Sequence, residues 1–313
     1  MVGRVRKKVS VTEVQKLHEV YMHAGYYNLA RALNLIMPKM PPCPVCKLNK
    51  GVRKSHPTKT VVTTFCGQLT HTDTQGPYAC ALYFKGCRYI IGFTDDFSKV
   101  RFVVFCRDRT SSTLIDAFKL YVAFCRRLGF DERAFAEWVS DGGPEYVSEE
   151  AFEFCDNYAI QRLLSVRYTP QQDGVAERLF GVHLPRTRAA CNAAGLPPEA
   201  YALGFQYSIW LGNRTAVQSL GGKTPFEMCP SPPRIDVHHA RVFGCRAWAV
   251  QPDVNRETKM SETARAGIFL GMSELFKGYI IGYFDKGRWE FEPAIHVDFD
   301  EKCLPLYVEI VDE

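Results

Sequence analysis

The chain is 313 residues long, 46% hydrophobic and 23% charged, a composition that supports a folded globular protein and excludes a disordered or fibrous one. No apolar run approaches the roughly 20 residues of a membrane helix, and the basic start MVGRVRKKVS has no apolar stretch behind it, so neither membrane insertion nor secretion is expected. The net charge of +5 is unevenly divided: residues 1–59 hold 12 Lys/Arg against 2 Asp/Glu, and the remaining 254 hold 27 against 32. A head with a net of +10 attracts polyanions, because neutralised phosphates release counterions; a solvated basic tail is the alternative reading.

From Val11 to Leu35 apolar residues recur at helical spacing with Gly25 as a break, which predicts a short two-helix head. Prolines at 38, 41, 42 and 44 end it and lead into CPVC and a basic linker. Between 65 and 165 the pattern turns α/β. QLTHTDTQG, YIIGFTDD and VRFVVFC read as three neighbouring strands of an antiparallel meander, with DDFSK as the second turn. SSTLIDAFKLYVAFCRRLG reads as a helix with a Ser cap before it and a Gly after it. A short strand (FAEWVSDGG), a helix (SEEAFEFCDNY) and another strand (IQRLLSV) follow. Strands and helices in this order predict an RNase H-like core, a mixed five-stranded sheet with flanking helices.

A further helix runs from Asp173 through AERLFGVHLPRTRAACNAAG. Inside it Pro costs on the order of 3 kcal/mol relative to Ala and Gly about 1, so Pro185 and Gly181 predict a kink or break near 181. Beyond Pro225, HARVFGCRAWAVQP, ARAGIFLGM, KGYIIGYFD and RWEFEPAIHVDF predict a small all-β module. The expected organisation is a zinc-binding head with basic linker over 1–59, the α/β core over 60–224 and the β-rich module over 225–313. The 12 cysteines are scattered through apolar patterns such as VVFC and YVAFC and read as buried free thiols of a reducing compartment.

His18 and His23, with four residues between them, and the CPVC thiols Cys43 and Cys46 make a His₂Cys₂ set suited to tetrahedral Zn²⁺, and metal is an effective route to a fold for so small a head. A redox CxxC would want a thioredoxin-like βαβ context that is missing here, and two chance surface histidines are the other alternative. His56, His71, His183, His238, His239 and His296 have no such partnership and read as surface or core residues.

Asp73 lies mid-strand in HTDTQGP, where a charge asks for a partner. Asp141 follows AEWVS in DGGPEY, and Glu177 lies near a helix start in TPQQDGVAER. Two Asp and a Glu from two strand ends and a helix can hold two hard cations for phosphodiester cutting and joining. Spacing alone does not separate them from other acids such as Asp95, Asp96 or Glu145 among the 34 in the chain.

The His/His/CPVC head with KLNKG, then HTDTQGP, FTDDFSK, SDGGPEY, SVRYTPQQDGVAERL, GKTPFEM, HARVFGCRAW and GIFLGMSELFKGY, in that order across nearly the whole chain, resemble the motifs of copia-type LTR retrotransposon integrases, a branch of the retroviral integrase superfamily. TPQQDGVAER is the most specific, and the 35 residues between Asp141 and Glu177 match the family's spacing. The resemblance implies Asp73, Asp141 and Glu177 as catalytic ligands of Mg²⁺ or Mn²⁺, and His18, His23, Cys43 and Cys46 as ligands of structural Zn²⁺. It also implies Arg178, Gln171 and Gln172 as DNA contacts, a solvated turn being the other reading of the two glutamines. The implied chemistry is metal-assisted attack of water, then of a cDNA 3′-hydroxyl, on phosphodiesters, with no covalent enzyme intermediate and no small-molecule substrate.

The implied partners are element-end and target DNA and further copies of the chain. The implied place is the nucleus, or a virus-like particle followed by nuclear entry. Gly142 and Asp173 stand where the family usually has Asn, the stretch from His23 to Cys43 is shorter than usual, and LFGVHLPRTRAAC replaces an unbroken basic helix. Those departures, with no protease or reverse transcriptase pattern in the chain, motivate an alternative: a catalytically silent or domesticated integrase-derived DNA-binding protein. A zinc-dependent adaptor would account for the head but not for the three acids.

Overall fold

The computed structural model describes residues 7–20, 26–33, 35–44, 46, 62–79, 83, 86–131, 134–164, 176–235, 237–252, 258, 260–273, 277–285 and 288–302, and divides into two compact units, Met1–Thr60 and Val61–Glu313. In the first, a two-residue strand β1 (Lys7–Lys8) precedes helices α1 (Val11–Val20) and α2 (Tyr26–Ala32) and pairs in parallel with β2 (Leu35–Ile36). The start of α1 is fixed by a reciprocal cap: Glu13 N donates to Ser10 Oγ and Ser10 N donates to the Glu13 carboxylate, satisfying two otherwise orphaned donors. Among the described residues of this unit, Val14 of α1 and Leu29 of α2 are the buried apolar ones.

The second unit opens with the expected antiparallel meander, β3 (Leu69–Gln75), β4 (Tyr89–Asp95) and β5 (Arg101–Cys106). Helix α3 (Ser111–Arg127), strand β6 (Glu137–Ser140), helix α4 (Glu149–Asn157) and strand β7 (Gln161–Leu164) follow. The cap of α3 is Thr110, whose hydroxyl accepts from Thr113 N, rather than the serine after it. Both β3–β6 and β6–β7 are parallel, giving the sheet order β5-β4-β3-β6-β7, and this is the RNase H-like sheet. Ile91 and Phe93 pack on one face with Leu114, Phe118 and Tyr121 of α3, where the Phe93 and Tyr121 rings stack at 4.9 Å.

Helices α5 (Ala176–Ala193) and α6 (Tyr201–Gly212) cover the other face, through Leu179 and Phe180 of α5 and Phe205 and Ile209 of α6 packed on Ile90. With both faces covered, β4 is apolar at consecutive rather than alternate positions. The break expected near 181 is absent: α5 runs from Ala176 through Pro185 to Ala193. Gly181 and Pro185 are exposed, and nothing lies within 4 Å of a Cβ built at Gly181, whereas Leu179, Phe180, His183 and Thr187 are buried. Packing of that buried face outweighs the local propensity penalty.

His183 fixes where α5, α6 and β5 meet. Arg101 Nη1 donates to His183 Nε2 at 2.6 Å and His183 Nδ1 donates to Ser208 Oγ at 2.7 Å. A Cβ at Gly212 would lie 2.7 Å from the imidazole, so a glycine is required for the approach. Burial, with Arg101 and Arg186 adding to it, pushes the imidazole pKa down to about 3.

Strands β8 (Arg246–Val250), β9 (Ala264–Ser273), β10 (Gly278–Asp285), β11 (Arg288–Ala294) and β12 (Val297–Asp300) form a separate antiparallel sheet ordered β11-β10-β9-β8-β12. The RWEFEPAIHVDF stretch thus supplies two strands. Leu203 and Tyr207 of α6 and Cys191 and Ala194 at the end of α5 close its apolar face, so this sheet shares a core with the helices of the α/β sheet. Among the described residues no helix is long and apolar enough to cross a membrane. The described cysteines are free thiols, and Cys66, Cys106, Cys125, Cys155, Cys191, Cys229 and Cys245 are buried.

The folded state holds His183 neutral where the unfolded chain, with an ordinary His pKa near 6.5, takes up a proton. Its contribution to stability is therefore complete above about pH 6.5 and lost progressively as pH falls toward about 3. Urea-unfolding midpoints of the wild type should decline from pH 6.5 to 5, where carboxylates are still largely ionised. In His183→Gln the decline should flatten; an unchanged slope would mean that His183 is not the group responsible.

Candidate functional site

The β3–β6 ladder pairs Leu69 with Glu137, Thr70 with Trp138 and His71 with Val139. Continued by two residues, that register sets Asp73 beside Asp141, the first residue after β6, on strands about 4.8 Å apart. Asp141 itself lies beyond the last pair of that ladder, His71 with Val139, and both its charge and that of Asp73 reach the Tyr146 phenol. On the other side of β3, Asp73 pairs with Gly92 of β4. A Cβ built at Gly92 would lie 3.1 Å from Leu179 and 3.3 Å from Phe180, so the Asp73 face is the one covered by α5. Glu177 is the second residue of α5 and lies in the turn that ends on Leu179. The backbone thus puts Asp73 and the first turn of α5, which holds Glu177, on one face of the sheet, and Asp141 directly follows the strand next to β3. The side chain of Glu177, and all of Gln171 and Gln172, lie outside the described residues. Arg178 is exposed in that same turn.

Asp73 is half-buried and Asp141 exposed. The Asp141 carboxylate accepts from Gly143 N at 3.0 Å. A Cβ at Gly143 would sit 3.0 Å from both Asp141 Oδ1 and Glu145 Oε2, so the second glycine of SDGGPEY makes room for two carboxylates. Beneath them the fully buried Tyr146 shares a 2.6 Å hydrogen bond with Thr74. Burial pushes its phenol pKa well up, and the charges of Asp73, Asp141 and Glu145 push it further. Tyr146 therefore stays protonated and feels all three acids. Burial and the Asp73 charge likewise raise the Tyr78 phenol.

Asp95, Asp96 and Glu145 are not surface groups: the two aspartates are fully buried and Glu145 is 6% exposed. Asp95 accepts from Gly67 N, Ser98 N and Ser98 Oγ. Asp96 lies 3.3 Å from His71 Nε2 and 3.0 Å from Lys99 Nζ, and accepts from Thr63 Oγ1. This group ties β3 to the β4–β5 turn and makes His71 a core residue. Sequence reasoning missed Glu145 and Tyr146; the signal available was the double glycine, which frees space for groups brought close to Asp141.

In the head, His18, Cys43 and Cys46 present ligand atoms all within 4.8 Å of one another, the group of this kind found among the described residues. His18 Nε2 and Cys46 Sγ are 3.2 Å apart, and the Tyr26 ring lies 4.6 Å from the imidazole. His18 is buried while both cysteines are half-buried, an arrangement open to a cation on the thiol side. The fourth predicted ligand, His23, lies outside the described residues.

No family model matches the chain. Its sequence is 29% identical over 238 residues to the retrovirus-related Pol polyprotein from transposon TNT 1-94 of Nicotiana tabacum, covering 76% of this chain and 17% of that protein. It is 25% identical over 269 residues to the retrovirus-related Pol polyprotein from transposon RE1 of Arabidopsis thaliana, covering 84% of this chain and 17% of that protein. The chain thus spans about a sixth of the length of these relatives. Among solved structures, a chain of the simian T-cell lymphotropic virus intasome in complex with PP2A regulatory subunit B56 gamma superposes with a TM-score of 0.50 at 18% identity, covering 91% of this chain and 98% of that one. The fold is accordingly that of retroviral integrases, built on an RNase H-like core. The chain is therefore similar in sequence to one segment of retrotransposon Pol polyproteins and in fold to a chain of a retroviral intasome.

Gly92 is where α5 rests on the sheet beside Asp73, so Gly92→Val should overpack this contact and destabilise by about 1–3 kcal/mol in urea denaturation. A loss within about 0.5 kcal/mol, the range of neutral surface changes, would show that α5 is not held there.

Proposed function

We propose that this chain is a copia-type retrotransposon integrase that trims element DNA at its 3′ ends and joins those ends to target DNA. What supports this most is that β3, which carries Asp73, pairs in parallel with β6, which Asp141 directly follows, and that the Asp73 face of the sheet is covered by the helix that carries Glu177. Carboxylate oxygens from β3 and from the residue that follows β6, one half-buried and one exposed, are donors suited to Mg²⁺ or Mn²⁺ and open to a phosphodiester. Such ions, when bound, would supply activation of the attacking hydroxyl and stabilisation of the leaving oxygen.

The role of Asp73, Asp141 and Glu177 in this reading is to hold the cations and, through them, the orientation of the scissile phosphate. Gly143 N keeps the Asp141 carboxylate turned by a hydrogen bond, and the protonated Tyr146 forms an uncharged floor under the acids. Arg178, Gln171 and Gln172 would contact DNA beside the third acid. In the head, His18, His23, Cys43 and Cys46 would hold structural Zn²⁺; three of the four have the donor chemistry and proximity for it. The reading includes three functional segments, 1–59, 60–224 and 225–313, with a homo-oligomer holding two DNA ends and acting in the nucleus.

The test is a strand-transfer assay on purified protein with element-end DNA and Mg²⁺ or Mn²⁺. Wild type should process and join the ends, and Asp141→Asn and Glu177→Gln should each fall to background while still binding DNA. Joining undiminished in either variant would remove the assigned site. Salt-dependent binding by the wild type with no joining would instead support the silent, domesticated relative. For the head, elemental analysis should find one zinc bound per chain and its loss in Cys43→Ser, with lowered helix content; full zinc retention would exclude Cys43 as a ligand.

A further inference from the structure

Glu145 stands outside the three acids assigned to the cations, yet it is only 6% exposed and forms no hydrogen bond or ion pair with a described residue. Other buried acids of this core are matched: Asp95 accepts from Gly67 N, Ser98 N and Ser98 Oγ, and Asp96 faces His71 and Lys99. A buried carboxylate without a partner is costly unless a cation or a set of donors comes to it.

The place of Glu145 is imposed from both sides. The residue after it, Tyr146, is fully buried, meets Trp138 edge-on at 6.2 Å and shares a hydrogen bond with Thr74, the neighbour of Asp73. Before it the chain turns on Gly143, whose carbonyl accepts from Tyr146 N at 3.0 Å and from Val147 N at 3.3 Å. Held in this way, Glu145 sets Oε2 3.0 Å from the point a Cβ would take at Gly143, and Asp141 Oδ1 lies 3.0 Å from the same point. The two oxygens face each other across the space that a glycine leaves free. The field there is negative: after burial, the groups that raise the Tyr146 phenol are Asp73, Asp141 and Glu145, and no basic side chain among the described residues offsets them.

We infer that Glu145 is a positioning residue of the cation site, a fourth acid behind Asp141 whose charge is neutralised when a divalent cation binds. The inference rests on the reading of Asp73, Asp141 and Glu177 as cation ligands and extends it. Hard cations such as Mg²⁺ keep several of their waters when bound by carboxylates. A carboxylate behind the ligands accepts hydrogen bonds from such waters and steadies the ligands, which strengthens binding without direct ligation. A purely structural glutamate would instead be held by donors of the fold, and Glu145 has none among the described residues.

The test compares wild type, Glu145→Gln, Glu145→Asp and Asp141→Asn, all as full chains. Mn²⁺ binding is followed by the electron paramagnetic resonance signal of the free ion, and melting temperature is measured with and without added Mn²⁺. Glu145→Gln should bind Mn²⁺ about tenfold or more weakly, as expected for loss of a group that supports metal ligands. Without added cation it should melt no lower than wild type, because an uncompensated buried charge has been removed, and Mn²⁺ should raise its melting temperature less. Glu145→Asp keeps the charge and should bind with an affinity between the two. Binding weakened in Asp141→Asn but as tight as wild type in Glu145→Gln would overturn this inference alone. So would a Glu145→Gln variant that melts lower and binds Mn²⁺ normally, the mark of a structural role. No binding by wild type, or binding undiminished in Asp141→Asn, would overturn the cation-site reading and this inference with it. Should Glu145→Gln fail to fold, Glu145→Asp decides, since its charge is withdrawn by one methylene; an affinity equal to that of wild type would then overturn the inference.

Discussion

The parallel pairing of β3 with β6 is the constraint on which the candidate site depends. Side chains alternate along a strand, so a slip of one residue would send Asp73 to the opposite face, among the aromatic side chains of α3. Several contacts hold the register. Trp138 Nε1 donates to Thr72 Oγ1 at 2.7 Å, Glu137 N donates to Gln68 O at 3.1 Å, and Phe135 N donates to Gly67 O. Because Trp138 is also packed at 4.6 Å from Phe118, the register is coupled to the aromatic core beneath the sheet. The core chooses the register, and the register sets which face of the sheet Asp73 takes.

Several charged groups of the α/β unit are inside it rather than on it. Asp95 and Asp96 with His71, Lys99 and Thr63 tie the middle of β3 to the β4–β5 turn, and Arg101 with His183, Ser208 and Asn213 ties the edge strand to α5 and α6. Buried polar groups with specific partners restrict how layers can stack. They bracket the site, since α5 must seat its first turn over Gly92. Among the described members of these two groups, Arg101 Nε and His71 Nδ1 are buried without a hydrogen-bond partner.

The strands of the α/β unit and its helices were legible because periodicity and caps are local: VRFVVFC, SSTLIDAFKLYVAFC and QLTHTDTQ all fold as their patterns indicate. The CPVC turn was legible from ligand spacing, and His18 was brought to it by the helical head. What misled was also local. Pro185 and Gly181 carry a real propensity cost, yet α5 continues because Leu179, Phe180, His183, Thr187 and Cys191 are buried. Burial of Glu145, Asp95 and Asp96 was not readable, because it follows from pairing between strands far apart in sequence. The same holds for the C-terminal sheet, whose strands were visible but whose dependence on Leu203 and Tyr207 was not. Recognition of the three acidic positions came from motif likeness; composition and spacing left them among the other acids of the chain.

The central proposal is that oxygens of Asp73, Asp141 and Glu177 share divalent cations, and anomalous diffraction from crystals soaked in Mn²⁺ tests it without reference to turnover. The account predicts anomalous density between Asp73 and Asp141, bounded on the α5 side by Glu177, and its disappearance in Asp73→Asn crystals. Density confined to other acids, or none at a concentration that occupies comparable carboxylate sites, would contradict it.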